Sequence, residues 1–186
     1  MSTDEILFDA EERMEKALGV FRDELRGLRT GRATPALVDG LRVEAYGSMM
    51  PLKQLAQIGT PDPQSIVIRP FDQSTLKDIE KAIRSSDLGM APNSDGKVIR
   101  LTVPAMSGEQ RQKMVAQVKK KSEETKVSCR NFRRDANKAF DVAEKDKEMT
   151  EDERDQGKEK VQDLLKSFES KIDDFADKKS KEIMEV

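Results

Sequence analysis

With 186 residues, 38 % of them charged and 35 % apolar, and a net charge of −2, the chain suits one compact domain or two small ones, and its mix favours long exposed helices over a thick globule. There is no histidine, and Cys129 is the one cysteine, which removes the usual general base at neutral pH, the commonest metal ligand, an internal disulfide and any cysteine-rich zinc site. The N-terminal MSTDEILFDAEERMEK is acidic from its fourth residue, and no apolar run approaches the roughly 18 residues of a membrane span; a soluble, cytoplasmic protein with no targeting segment, metal or cofactor is expected.

From residue 7 to 28, Leu7, Met14, Leu18, Phe21, Leu25 and Leu28, with Ala10 in the early gap, follow steps of threes and fours, the mark of an amphipathic helix ended by Gly31 and Pro35. The character then changes, because six of the seven prolines lie between 31 and 103 and Pro104 closes the segment. LRVEAYG alternates Leu41, Val43 and Ala45 against Arg42, Glu44 and Tyr46, the period of a half-buried strand. Further strands are expected at 55–60, 65–69 (SIVIR) and 98–103 (VIRLTV). Between them Asp72 caps a short helix with Leu76, Ile79 and Ile83 on one side, ending near 87–89. After Pro104 the helical period returns: Val115, Val118, Ser122, Thr125, Cys129, Phe132, Ala136, Ala139 and Ala143 form a coiled-coil-like seam, with Ser107 as N-cap. A break is expected at Lys147–Met149, since Thr150 and Glu153 make a capping box that opens a third helix. Its stripe is Val161, Leu165, Phe168, Ile172 and Phe175, continuing to Ile183.

Three helices with one stripe each must bury those stripes together. The fold class is therefore α+β: an antiparallel three-helix bundle from 1–30 and 106–186, with a small α+β domain inserted at 31–105. The two crossings, at 29–33 and 103–107, contain Gly or Pro and are expected to form a hinge, so that the small domain hangs at one end of a long rod.

By segment, net charge is −3 over 1–29, +1 over 30–106, +4 over 107–146 and −4 over 147–186. The second long helix is thus a basic rod between acidic ones. Rotation by 100° per residue puts Lys119, Lys126, Arg130 and Arg133 on one face, about 100° from the Cys129 and Phe132 seam, and Arg134 with Lys138 on an adjoining strip. Two readings stand at this point: a solvated face ion-paired with the acidic helices, or a row of guanidiniums for phosphate oxygens. For Arg130, Arg133 and Arg134 only Asp135 offsets the charge locally, which favours RNA or another polyanion without base specificity. Cys129 and Phe132 read as core residues. No P-loop and no catalytic constellation occurs, so an enzyme is not expected; a coiled-coil adaptor and an unspecific RNA-binding protein remain as alternatives.

LRTGRATPALVDGLRVEAYG (28–47), PLKQLAQI (51–58), PFD (70–72), EKAIRSSDLGMAPNSDGKVIRLTVP (80–104), RNFRRDANK (130–138) and KDKEMTEDE (145–153) closely resemble the ribosome recycling factor family of bacteria, in order and over essentially the whole chain. The resemblance implies an L-shaped, monomeric molecule: a three-helix bundle and a β/α/β domain joined by a flexible two-strand hinge. It implies action after termination of translation, binding large-subunit rRNA and, with elongation factor G and GTP, splitting the ribosome so that mRNA and the last tRNA leave. Arg133 and Arg130 match family arginines that contact ribosomal RNA, Arg29 lies near the same approach, and Gly31, Arg32, Pro104 and Ala105 fall on the hinge. Where the family reads Pro-Pro-Leu-Thr-Glu-Glu-Arg-Arg, this chain has Pro104, Ala105, Met106, Ser107, Gly108, Glu109, Gln110 and Arg111. Ala105 thereby removes one rigid residue, and Gly108 weakens the helix start by up to about 1 kcal/mol.

Overall fold

The computed structural model describes residues 2–185. It divides into two compact units, Met1–Arg26 with Gln112–Glu182, and Gly27–Arg111 with Ile183–Val186. The elements in chain order are α1 (Thr3–Arg26), α2 (Ala36–Asp39), β1 (Arg42–Ala45), β2 (Ser48–Pro51), α3 (Leu52–Leu55), β3 (Ala56–Asp62), β4 (Ser65–Pro70), α4 (Leu76–Arg84), β5 (Pro92–Ser94), β6 (Ile99–Thr102), α5 (Gly108–Lys145) and α6 (Glu151–Met184). The class is α+β.

In the first unit α1 buries Ile6, Ala10, Met14, Leu18, Phe21 and Leu25. Its stripe therefore starts on Ile6; Leu7, one residue and 100° away, is half-buried. The helix stops at Arg26, before Gly27, which is earlier than Gly31 suggested. The 38 residues of α5 span about 57 Å at 1.5 Å per residue. Ile6 and Ala10 cluster with Ala136, Phe140, Ala143, Met149 and Val161. The start of α1 thus meets the end of α5 and the start of α6, so α5 runs antiparallel to both.

Two seam residues exchange roles relative to the sequence reading. Phe132, expected in the core, is half-buried, with the Arg13 guanidinium 5.9 Å from its ring centroid. Phe140, absent from the expected seam, is fully buried. Its ring fits because α6 presents Gly157 there: a Cβ at that glycine would stand 2.6 Å from Phe140 Cζ. A bulky ring was thus accommodated by an absent side chain on the facing helix, which the period of α5 alone does not reveal.

Between α5 and α6, Lys147 takes φ 61° and the Glu148 amide donates back to the Ala143 carbonyl at 2.9 Å, closing the helix. The capping box then opens α6: the Thr150 amide donates to Glu153 Oε2 at 2.7 Å and the Glu153 amide to Thr150 Oγ1 at 3.3 Å. Glu153 is held below the usual carboxylate range, first by the Thr150 amide and then by its hydroxyl. Ser107 and Gln110 exchange the same kind of bonds at the head of α5, at 3.0 and 3.2 Å.

The second unit holds a four-stranded antiparallel sheet in the order β3-β4-β6-β5 and a separate β1-β2 hairpin. Tyr46 and Gly47, the two loop residues of the hairpin, have φ of 53° and 77°, the left-handed pair of a type I′ turn. Strand β4 buries Ile66, Val67 and Ile68, and Ile66 and Ile68 join Ile79 and Ile83 of α4 with Val43, Ala45, Ile99 and Leu101 in one core. Asp72 Oδ1 caps the turn before α4 by accepting from the Ser74 amide at 2.9 Å. The unexpected pieces are β2, β5, α2 and α3. Each has only three or four residues, too few to display a period.

Candidate nucleic-acid interface

The arginine row of α5 lies along its flank with α6, and the antiparallel pairing decides what each cation meets. Lys126 Nζ lies 2.9 Å from Asp173 Oδ1 and 3.3 Å from Glu123 Oε2. Arg130 Nε lies 2.7 Å from Glu169 Oε1, and its Nη1 2.9 Å from Glu123 Oε1. These contacts raise both cations: Lys126 chiefly through its bond to Asp173, and Arg130 through Glu123 and then Glu169. Glu123 is lowered in turn, chiefly by Arg130 and then by Lys126. For these two residues the geometry is that of the ion-pair reading, and both lean against α6 where the sequence reading had them facing outward.

Arg133 differs. Its Nη1 donates to Gln162 Oε1 on α6 at 2.7 Å, a neutral acceptor, and its Nε is buried without a hydrogen-bond partner among the described residues. Asn137, one turn further along α5, has a buried Oδ1 that is likewise unpartnered. Arg134 is exposed and donates from Nη1 to Asn131 Oδ1 at 3.3 Å, again a neutral acceptor. It shares the outward strip of α5 with Lys120 and Lys138, all three exposed. Asp135, the local acid, is taken by Arg13 at 3.5 Å. Of Arg130, Arg133 and Arg134, the two left without a carboxylate among the described residues are therefore Arg133 and Arg134.

The sequence reading found the cations but missed Gln162, Glu169 and Asp173, which set the difference between them. A turn at Lys147–Met149 folds α6 back along α5, and the ion-paired residues have numbers that add to about 299, as in 126 with 173, 130 with 169 and 141 with 158. Arg133 with Gln162 lies about one turn off that register, so the turn by itself does not point to Gln162.

The remaining expected residues lie in the second unit. Arg29 is exposed and donates from Nη2 to the Asp87 carbonyl at 3.0 Å. Gly31 takes φ +75°, and a Cβ there would meet Met106 Cγ at 3.4 Å, so the two crossings touch at this point. Arg32 is half-buried, its Nε unpartnered among the described residues. Pro104 and Ala105 are exposed and outside any helix or strand. The flanking amides tie both crossings to one loop: Ala33 donates to the Pro63 carbonyl at 2.7 Å and Val103 to the Gln64 carbonyl at 2.8 Å. Cys129 is buried and its thiol is pushed up to about 11, by burial first and then by Glu169. Among the described residues no cluster of metal-ligating side chains occurs, and no helix is long and apolar enough to cross a membrane.

The family model described as ribosome recycling factor matches residues 21–184. The ribosome-recycling factor of Symbiobacterium thermophilum is 51 % identical over 184 residues, covering 99 % of this chain and 100 % of that protein. That of Rhodopirellula baltica is 64 % identical over 139 residues, 75 % of each chain. Among solved structures, a solution structure of the ribosome recycling factor aligns over 100 % of this chain and 99 % of its own at TM-score 0.80 and 39 % identity. A second match is the Thermus thermophilus ribosome recycling factor, described with elongation factor G of Escherichia coli on the post-termination complex; it aligns over 98 % of this chain and 99 % of its own at TM-score 0.66 and 39 % identity.

Proposed function

Because the chain belongs to the ribosome recycling factor family, we propose that it binds the ribosome left after termination and, with elongation factor G and GTP hydrolysis by that factor, splits the subunits so that mRNA and deacylated tRNA leave. The observation that carries this reading is the match over the whole chain, joined by the structural neighbour described with elongation factor G on the post-termination complex. On this reading the protein is a monomer of the cytoplasm, where ribosomes work, and a binding factor with no chemistry of its own.

The RNA-facing element is α5. Arg133 and Arg134 meet phosphate first, because no carboxylate has to be displaced from them. Lys126 and Arg130 follow by exchanging half-exposed carboxylates for phosphate oxygens, which is cheap because such ion pairs contribute only about 0–1 kcal/mol. Arg29 adds a contact from the second unit. The crossings at 29–33 and 103–107 act as the hinge through which the small unit responds to the GTPase, with Gly31, Arg32, Pro104 and Ala105 as its moving residues.

The test is the splitting of purified post-termination ribosomes, followed by light scattering or gradient sedimentation. Splitting is expected only when this protein, elongation factor G and GTP are all present. Splitting no faster than with elongation factor G and GTP alone, under conditions where a Symbiobacterium homologue works, would overturn the reading. Binding to many RNAs with a steep salt slope and no need of the GTPase would instead mark an unspecific RNA-binding protein.

A further inference from the structure

We infer that Gln162 is the residue that keeps Arg133 available for RNA: it holds the guanidinium in place with a neutral oxygen where the rest of the α5–α6 flank uses carboxylates. This rests on the reading that Arg133 binds ribosomal RNA. Among the described residues, five cross-helix polar pairs can be followed along the flank. Lys126 meets Asp173, Arg130 meets Glu169, Lys158 meets Asp141 and Arg154 meets Glu144. Only the fifth, Arg133 with Gln162, lacks an acid. The register that pairs 126 with 173 and 130 with 169 brings position 166, a lysine, level with position 133, so no carboxylate of α6 replaces the missing one.

The chemistry explains why an amide suits this position. A guanidinium has five donors, and Gln162 Oε1 accepts from one of them, fixing the side chain against α6 without cancelling its charge. A carboxylate in the same place would form a charge-assisted pair of the kind Arg130 makes, and a phosphate would then have to compete with it. Gln162 does not need to touch RNA; it acts through Arg133 as a positioning residue.

The experiment measures ribosome binding by the full-length protein against salt concentration, together with its melting temperature, for Gln162→Glu, Gln162→Met and Arg133→Ala. Arg133→Ala tests the underlying reading, and it should lower the salt slope by about one unit. Gln162→Glu should move the same way by a smaller amount, lowering the slope and weakening binding by up to about fivefold, the most that displacing a partly exposed ion pair costs, while the melting temperature holds or rises because an ion pair is gained. Gln162→Met should keep the slope, since the charge remains free, with a smaller loss of affinity from the unfixed side chain. A merely structural role predicts the reverse order, with Glu tolerated and Met harmful to the fold. If Arg133→Ala weakens binding and Gln162→Glu leaves slope and affinity unchanged, the inference is wrong and the reading of Arg133 stands. If Arg133→Ala itself changes nothing, both fall.

Discussion

Arg130 and Arg133 are three positions apart on one helix and look alike in the sequence, yet their partners make them chemically different. Arg130 is shared between Glu123 and Glu169, and Arg133 has one amide oxygen. Arg130→Ala should therefore weaken ribosome binding less than Arg133→Ala, since part of what it removes is an internal ion pair; equal losses in a filter-binding titration would contradict this ranking. Cys129 makes the opposite case, a polar-looking residue that the core absorbs. With its thiol raised to about 11 by burial, the folded state holds its proton more tightly than the unfolded one, whose thiol titrates near the ordinary value of about 8.5. Its contribution to stability is intact below that ordinary value and declines as pH rises through it toward 11. Alkylation at pH 8 should be slow in the native protein and fast in denaturant, as read by intact mass. That Cys129 belongs to the core was legible from its spacing in the seam. The different fates of two neighbouring arginines were not, because what separates them is Glu169 against one and Gln162 against the other, 39 and 29 positions away on the facing helix.

At the level of elements, the capped starts of α5 and α6 were readable because a cap is local chemistry. Thr150 and Glu153 satisfy each other's amides, and Thr150→Ala should cost about 1 kcal/mol in chemical denaturation. The box also has a pH signature. Glu153 is depressed by its bonds to Thr150, so its contribution is complete above the ordinary carboxylate value and is lost as pH falls through the lowered one. The Thr150→Ala variant should accordingly lose less stability on acidification than the parent protein. Gly157 belongs to the same scale but was invisible from its own helix. In a helix interior Ala normally gains about 1 kcal/mol over Gly; here the added Cβ would press on the buried Phe140 ring, and overpacking of about 1–3 kcal/mol opposes that gain. Gly157→Ala is expected to lower the melting temperature, and pairing it with Phe140→Leu should recover much of the loss. A rise in melting temperature for the single variant would show that the ring moves aside.

For the molecule as a whole, the two crossings are where a substitution should separate binding from splitting. Gly31 sits at φ +75° against Met106, so Gly31→Val strains the backbone in the left-handed region and crowds the second crossing. Under the proposed hinge it should slow splitting with elongation factor G while leaving ribosome affinity near that of the parent; equal effects on both would argue against a hinge role. By itself the sequence determined the three long helices, four of the six strands found among the described residues and the helix that carries the arginines. These follow from signals a few residues long: apolar period, capping pairs, and the Pro and Gly that punctuate the middle. Only the tertiary structure decided which cations are neutralised and which ring fills the bundle, because Glu169, Gln162 and Gly157 reach Arg130, Arg133 and Phe140 across an antiparallel packing whose register no single helix contains. Period fixes the face a residue occupies, whereas its charge environment is fixed by what the neighbouring helix sets against that face.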